Sequence, residues 1–138
     1  MIILDTSFLF ALKAEKDTHF SRANEILDLL LDKYKEILLT PYLVVNETIT
    51  LSVARYKGNM GFIKKYFELF WGNECFFELI KLEPKEYKKI SQILKQYVSN
   101  KKRLSYTDAS LIYLYKKYNA TYLVSFDSHF DTILNRLC

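Results

Sequence analysis

With only three glycines and two prolines in 138 residues, the chain has few places where it is forced to turn, so most of it is expected to be regular structure. Cysteine is equally sparse. Cys75 and Cys138 have no partners at metal-ligand spacing, which argues against a disulfide framework or a zinc site and leaves two inert thiols in a reducing compartment. No stretch approaches the roughly 18 uninterrupted apolar residues of a membrane span, and the apolar opening is too short for a signal peptide. These absences predict an intracellular, cytoplasmic protein with no membrane partner. There is no low-complexity segment, internal repeat or linker, so residues 1–138 read as one domain.

What is present is globular. Half of the residues are apolar and 26% are charged, and the 11 Tyr and 10 Phe fall inside periodic segments, where they read as core. A net charge of +4 suits an anionic partner without requiring one.

Short apolar runs alternate with helical stripes. Met1 to Leu4, "KEILLTP", "CFFELIKL" and "ATYLVSF" read as strands. Helices are predicted from Ser7 to Leu12 with Asp5 or Thr6 as cap, from Thr18 to Lys33, and after Pro41 with Thr40 as cap. Others are predicted over "FIKKYFELFW", "EPKEYKKISQILKQYVSN", "TDASLIYLYKKY" and "SHFDTIL". Leu43, Glu47, Leu51 and Ala54 share one face of the helix after Pro41, although "LVVNETITLSV" is rich in residues that suit a strand. The alternation predicts an α/β protein, a three-layer α/β/α sandwich around a parallel sheet of four to five short strands.

In such sheets ligands bind beyond the carboxyl ends of the strands. Asp5 follows the first strand and Asp127 the fourth, while Glu47 and Asp108 lie on helices that lead out of or into strands. Clustered carboxylates need a positive partner, and an all-oxygen set suits Mg²⁺ or Mn²⁺, ions that also bind phosphate and activate water for phosphodiester hydrolysis. Each acid also has a purely structural explanation. Asp5 and Asp127 suit helix caps, "SYTD" fits a capping box from Ser105 to Asp108, and Glu47 suits an ordinary solvent-facing helix position. Glu47 on the Leu43, Leu51 and Ala54 face speaks against the last of these.

The order "ILDTS", "VNETI", "LSYTDA" and "YLVSFDSHF" resembles the PIN domain, the nuclease fold of VapC-type toxins, across essentially the whole chain. The resemblance implies a Mg²⁺- or Mn²⁺-dependent ribonuclease acting on single-stranded RNA, frequent homodimerisation, and a small antitoxin partner. By position, Asp5, Glu47, Asp108 and Asp127 match the family's acidic quartet, with Asp5, Asp108 and Asp127 as metal ligands and Glu47 orienting a ligand or the water. Ser7 and Ser125 match the small polar residues that support the acids. Asp131 reads as surface and His129 as incidental. The family commonly closes with one more strand, for which only "NRLC" remains, so that strand is expected to be very short or absent. The apolar helix "GFIKKYFELFWGN", with Phe67, Phe70 and Trp71, is expected either to cover a dimer interface or to pack within the chain.

Lys101, Lys102 and Arg103 precede Asp108 and are candidates for holding RNA phosphates, with Tyr106 as a stacking face. A solvated loop between helices explains the same charges. Alternatives to a toxin nuclease are a stand-alone RNA-processing enzyme and a non-catalytic PIN-like module that binds RNA or protein. A haloacid-dehalogenase-like phosphatase would need two acids two residues apart where Asp5 and Ser7 stand, and the acid pattern of a receiver domain is absent.

Overall fold

The computed structural model describes residues 1–138. Ile2, Ile3 and Leu4 are fully buried and form the central strand β1 (Ile2–Leu4); a strand covered on both faces has no polar alternation to show. In chain order there follow α1 (Thr6–Ala11), α2 (Phe20–Leu29), β2 (Leu38–Pro41), α3 (Tyr42–Arg55), α4 (Met60–Trp71), β3 (Glu78–Ile80), α5 (Pro84–Tyr97), α6 (Tyr106–Lys117), β4 (Tyr122–Val124) and β5 (Arg136–Leu137). All five strands are parallel, in the order β3-β2-β1-β4-β5. The predicted sheet is therefore present, and its winding reverses between β1 and β4. The crevice of a doubly wound sheet opens at that switch point.

Several predicted boundaries move, each for a local reason. The helix expected from Thr18 to Lys33 regularly spans only Phe20–Leu29 and ends in a π turn, Leu30–Tyr34, that stops at Lys35 with φ 47°. Thr40 does not cap α3. Its hydroxyl instead donates to the Leu4 carbonyl at 2.9 Å across the end of β1, keeping Thr40 in β2 and leaving Pro41 as the residue that flanks the helix. The face of α3 packed into the core is Val44, Val45, Thr48 and Ser52; Leu43 and Leu51 are only half-buried and Ala54 is exposed. Glu47 therefore borders the core, and the apolar face inferred around it is corrected. "SHFDTIL" forms a single 3₁₀ turn, Ser128–Phe130, rather than a helix. The fifth strand exists as two residues paired with Leu123 and Val124. On α4, Ile63, Tyr66, Leu69 and Phe70 are buried within the chain, while Phe62, Phe67 and Trp71 are exposed. No helix is long and apolar enough to cross a membrane.

One ion pair between a buried glutamate and a solvent-facing lysine ties together the helices of the layer that carries Asp108. Glu86 of α5 is only 4% exposed. It accepts from Lys117 Nζ at 2.6 Å and the Tyr113 hydroxyl at 2.9 Å, both on α6, and from the Glu83 amide at 2.7 Å. The Lys117 ammonium beside it, with the Glu83 amide and the Tyr113 hydroxyl, holds its carboxyl down to about 2. An unfolded Glu titrates near ~4.3. The pair thus contributes stability that is complete above that value and lost as pH falls toward about 2. Glu86→Gln is expected to cost about 1–2 kcal/mol at pH 7, and the gap in thermal midpoint between wild type and variant should close as the pH falls through that window. Equal midpoints at pH 7 would show that the pair contributes nothing.

Candidate functional site

Asp5 is the first residue after β1 and the cap of α1, and it is only 3% exposed. Three donors face its carboxylate. The Thr6 amide donates to Oδ1 at 2.6 Å, while the Ser125 and Ser7 hydroxyls donate to Oδ2 at 2.6 and 2.9 Å. Each hydroxyl has one hydrogen, and both are spent on Asp5, so the 3.2 Å approach of Ser7 Oγ to Ser125 Oγ is a contact without a proton between them. Their lone pairs act in the other direction. The Phe126 amide donates to Ser7 Oγ at 2.9 Å and the Asp127 amide to Ser125 Oγ at 3.0 Å. The two serines thus tie the ends of β1 and β4 together and set the path of the chain into Asp127.

Asp108 enters from α6. Its amide donates to Ser105 Oγ at 3.0 Å and its Oδ2 accepts from the Ser105 amide at 2.7 Å, so the capping box is real. Capping and a site role do not compete, because the capping bonds occupy only Oδ2. Burial pushes the Asp108 carboxyl up to about 6; the Ser105 bonds oppose this, and the charges of Asp5 and Asp127 reinforce it. Asp5 is likewise raised, chiefly by burial, against its three hydrogen bonds and with a further push from Glu47. The four acids predicted from sequence therefore sense one another's charge. Glu47 is half-buried and makes no hydrogen bond or ion pair. Asp127 caps the 3₁₀ turn by accepting from the His129 amide at 2.8 Å, and His129 Nδ1 lies 3.1 Å from the same oxygen but off the hydrogen-bonding direction.

No lysine or arginine pairs with Asp5, Glu47 or Asp108. Hard oxygen donors, buried and uncompensated, are the chemistry that Mg²⁺ or Mn²⁺ would satisfy. No three of the acids stand close enough together to hold an ion by themselves. Such a cation would have to complete its shell with water or substrate oxygens, which Mg²⁺ commonly does. Four cavities of about 300 to 600 Å³ are lined by residues other than these acids.

Around the acids, the predicted basic loop is partly committed. Lys102 Nζ donates to Thr132 Oγ1, which ties the loop to the segment between the 3₁₀ turn and β5, while Lys101 and Arg103 are exposed. Tyr106 is turned to the helix layer: its hydroxyl donates to the Tyr87 carbonyl at 2.8 Å and its ring lies parallel to that of Tyr87 at 6.5 Å. Asp131 is exposed and grips Arg136 through both oxygens. Arg136 was not foreseen. Its Nη1 donates to the Ser125 carbonyl at 3.0 Å, bracing the residue that holds Asp5, and the Asp127 charge is among those that favour its protonated form. Nothing in the local pattern of "NRLC" signals this role, since it depends on a two-residue strand.

A model of the PIN domain family matches residues 2–133. The chain belongs to that family. Among solved structures, this PIN domain is similar to VapC20 of Mycobacterium tuberculosis, described as a Sarcin-Ricin loop cleaving toxin. The TM-score is 0.77 at 20% identity, over 96% of this chain and 94% of that one. It is also similar to VapBC2 from Rickettsia felis, solved bound to a DNA fragment from their promoter (0.68, 18% identity, 99% and 98% coverage). A third is FitAcB from Neisseria gonorrhoeae (0.62, 19% identity, 100% and 97% coverage). No curated protein matches the chain in sequence. At these identities the likeness establishes the PIN fold.

The raised Asp108 carboxyl has a consequence for stability. An unfolded Asp titrates near ~3.9, so between that value and about 6 the folded chain holds the proton more tightly, and stability falls as pH rises through the window. In EDTA, Asp108→Asn should therefore be more stable than wild type above pH 6, by about 1–2 kcal/mol. The advantage should vanish below about pH 4. Thermal midpoints measured from pH 4 to 8 check this; a variant less stable than wild type at pH 7.5 contradicts it.

Proposed function

We propose that this PIN domain is a divalent-metal-dependent endoribonuclease that hydrolyses phosphodiester bonds of single-stranded RNA, including unpaired stretches of structured RNA. We place it as the toxin of a toxin–antitoxin pair acting in the cytoplasm. The observation that carries the reading is the buried, cation-free pair Asp5 and Asp108 at the switch point of a PIN fold, with Asp127 and Glu47 on its border. The toxin assignment draws support from the VapC20, VapBC2 and FitAcB structures.

In this reading Asp5, Asp108 and Asp127 would hold the cation, Mg²⁺ or Mn²⁺, together with water or substrate oxygens that bridge the gaps between them. The bound ion supplies activated water and charge stabilisation at phosphorus. Ser7 and Ser125 aim Asp5 and favour its ionised form against the opposing effect of burial, since each donates its only hydrogen to Oδ2. Glu47, half-buried and unbonded, orients a ligand or the attacking water. Lys101, Lys102 and Arg103 attract flanking phosphates from the rim. The exposed Phe62, Phe67 and Trp71 of α4 offer apolar surface to an antitoxin or to a second copy in a homodimer.

The test is cleavage of a fluorophore-labelled single-stranded RNA in Mg²⁺ or Mn²⁺ and in EDTA. Wild type should cut only with metal, and Asp5→Asn and Asp108→Asn should each lose about 10²-fold or more in rate. Mn²⁺ should also raise the thermal midpoint of wild type and not of Asp108→Asn. RNA bound but left intact by wild type, with no such rise, would identify a non-catalytic binding module instead.

A further inference from the structure

A second aromatic surface, besides Tyr106, flanks the acids. His19, at the N-terminal flank of α2, lies flat on Phe126, with ring centroids 4.2 Å apart and planes within 5° of parallel. Phe126 stands between Ser125, which donates to Asp5, and Asp127. Its amide is pinned by Ser7 Oγ and its ring packs against the hydrophobic core. His19 is exposed, and its amide is fixed by Asp17 Oδ1 at 2.8 Å. The order from inside outward is core, Phe126, His19, solvent. Arg22, one turn along α2 from His19, donates to the Cys138 carbonyl at 3.0 Å and pairs with Glu25, while Arg136, paired with Asp131, donates to the Ser125 carbonyl at 3.0 Å.

We infer that His19, backed by Phe126, is a stacking platform for one unpaired nucleobase of the RNA strand, beside the phosphate presented to Asp5, Asp108 and Asp127. The inference rests on the ribonuclease reading of the acids and adds a base-binding subsite to it. Every nucleobase has a π-face, so a single aromatic slab grips a strand without choosing its sequence. Bases in a duplex are already stacked on their neighbours, so the platform selects unpaired RNA. Its rigidity follows from its backing, since the serine network that orients Asp5 also fixes Phe126. A base held there limits where the adjoining phosphate can sit, which is a positioning effect.

Fluorescence anisotropy tests it, with a fluorescein-labelled decaribonucleotide of random sequence and an abasic decaribose phosphate of the same length. Both are titrated in Mg²⁺ against Asp108→Asn protein, so that the strand is not cut. Adding His19→Ala should weaken the intact RNA by about tenfold and leave the abasic strand unchanged, whereas His19→Phe should stay within about twofold. Equal weakening of both strands would overturn the proposal, because His19 would then only pin its own segment over β4. So would no weakening of either strand, or an Asp108→Asn parent with native His19 that binds neither. Cleavage by proteins with native Asp108 is measured in parallel. Absent cleavage with the predicted binding pattern sinks the nuclease reading alone; cleavage without dependence on His19 or on the base sinks the platform alone.

Discussion

The organisation of the molecule depends on a carboxylate buried at the end of its central strand. Asp5 cannot be solvated from outside, so the chain must supply donors, and those donors are the Thr6 amide and two serine hydroxyls from opposite ends of the sequence. Each serine then accepts from an amide of the 126–127 segment. The ends of β1 and β4 are consequently joined by side chains where the backbone ladder runs out, and the direction in which Asp127 leaves β4 is inherited from the needs of Asp5. The topology adds the location. With winding reversed between β1 and β4, this is the place where helices leave the sheet on opposite faces and a crevice remains.

Much of this was legible because it is local or ordered along the chain. Short apolar runs ending in acids marked two of the strands, β1 and β4, and the capping signature at Ser105 marked the start of α6. The four acidic motifs marked the family by their order. What could not be read depends on distant partners. Thr40 followed by Pro41 has the local form of a helix start, but the Leu4 carbonyl takes the threonine hydroxyl and shifts the cap by one residue. Tyr106 lies close to the acids in sequence, yet the Tyr87 carbonyl turns it to the helix layer. His19 and Phe126 are 107 positions apart and meet only because the segment that leads into α2 folds against the one that leaves β4. Arg136 gains its role from a strand too short to carry any periodicity.

Two acids of the same α5–α6 layer show why the uncompensated charge is informative. Glu86 is 4% exposed and Asp108 9%, so water is nearly equally remote from both. Burial alone would raise both carboxyls. Glu86 is instead brought down to about 2, because Lys117 and Tyr113 of α6 reach it, whereas Asp108 rises to about 6 with other carboxylates for neighbours. The contrast shows what the layer does with a buried acid that serves packing: it brings a cation across the interface. α6 is rich in such groups, with Lys116 and Lys117 both in its last turn. At its first turn, facing Asp5 and Asp127, it presents none. Repulsion between Asp5 and Asp108 that folding could have relieved with one lysine has been left in place, and a pair of buried carboxylates without a lysine or arginine partner is one that an external cation can enter.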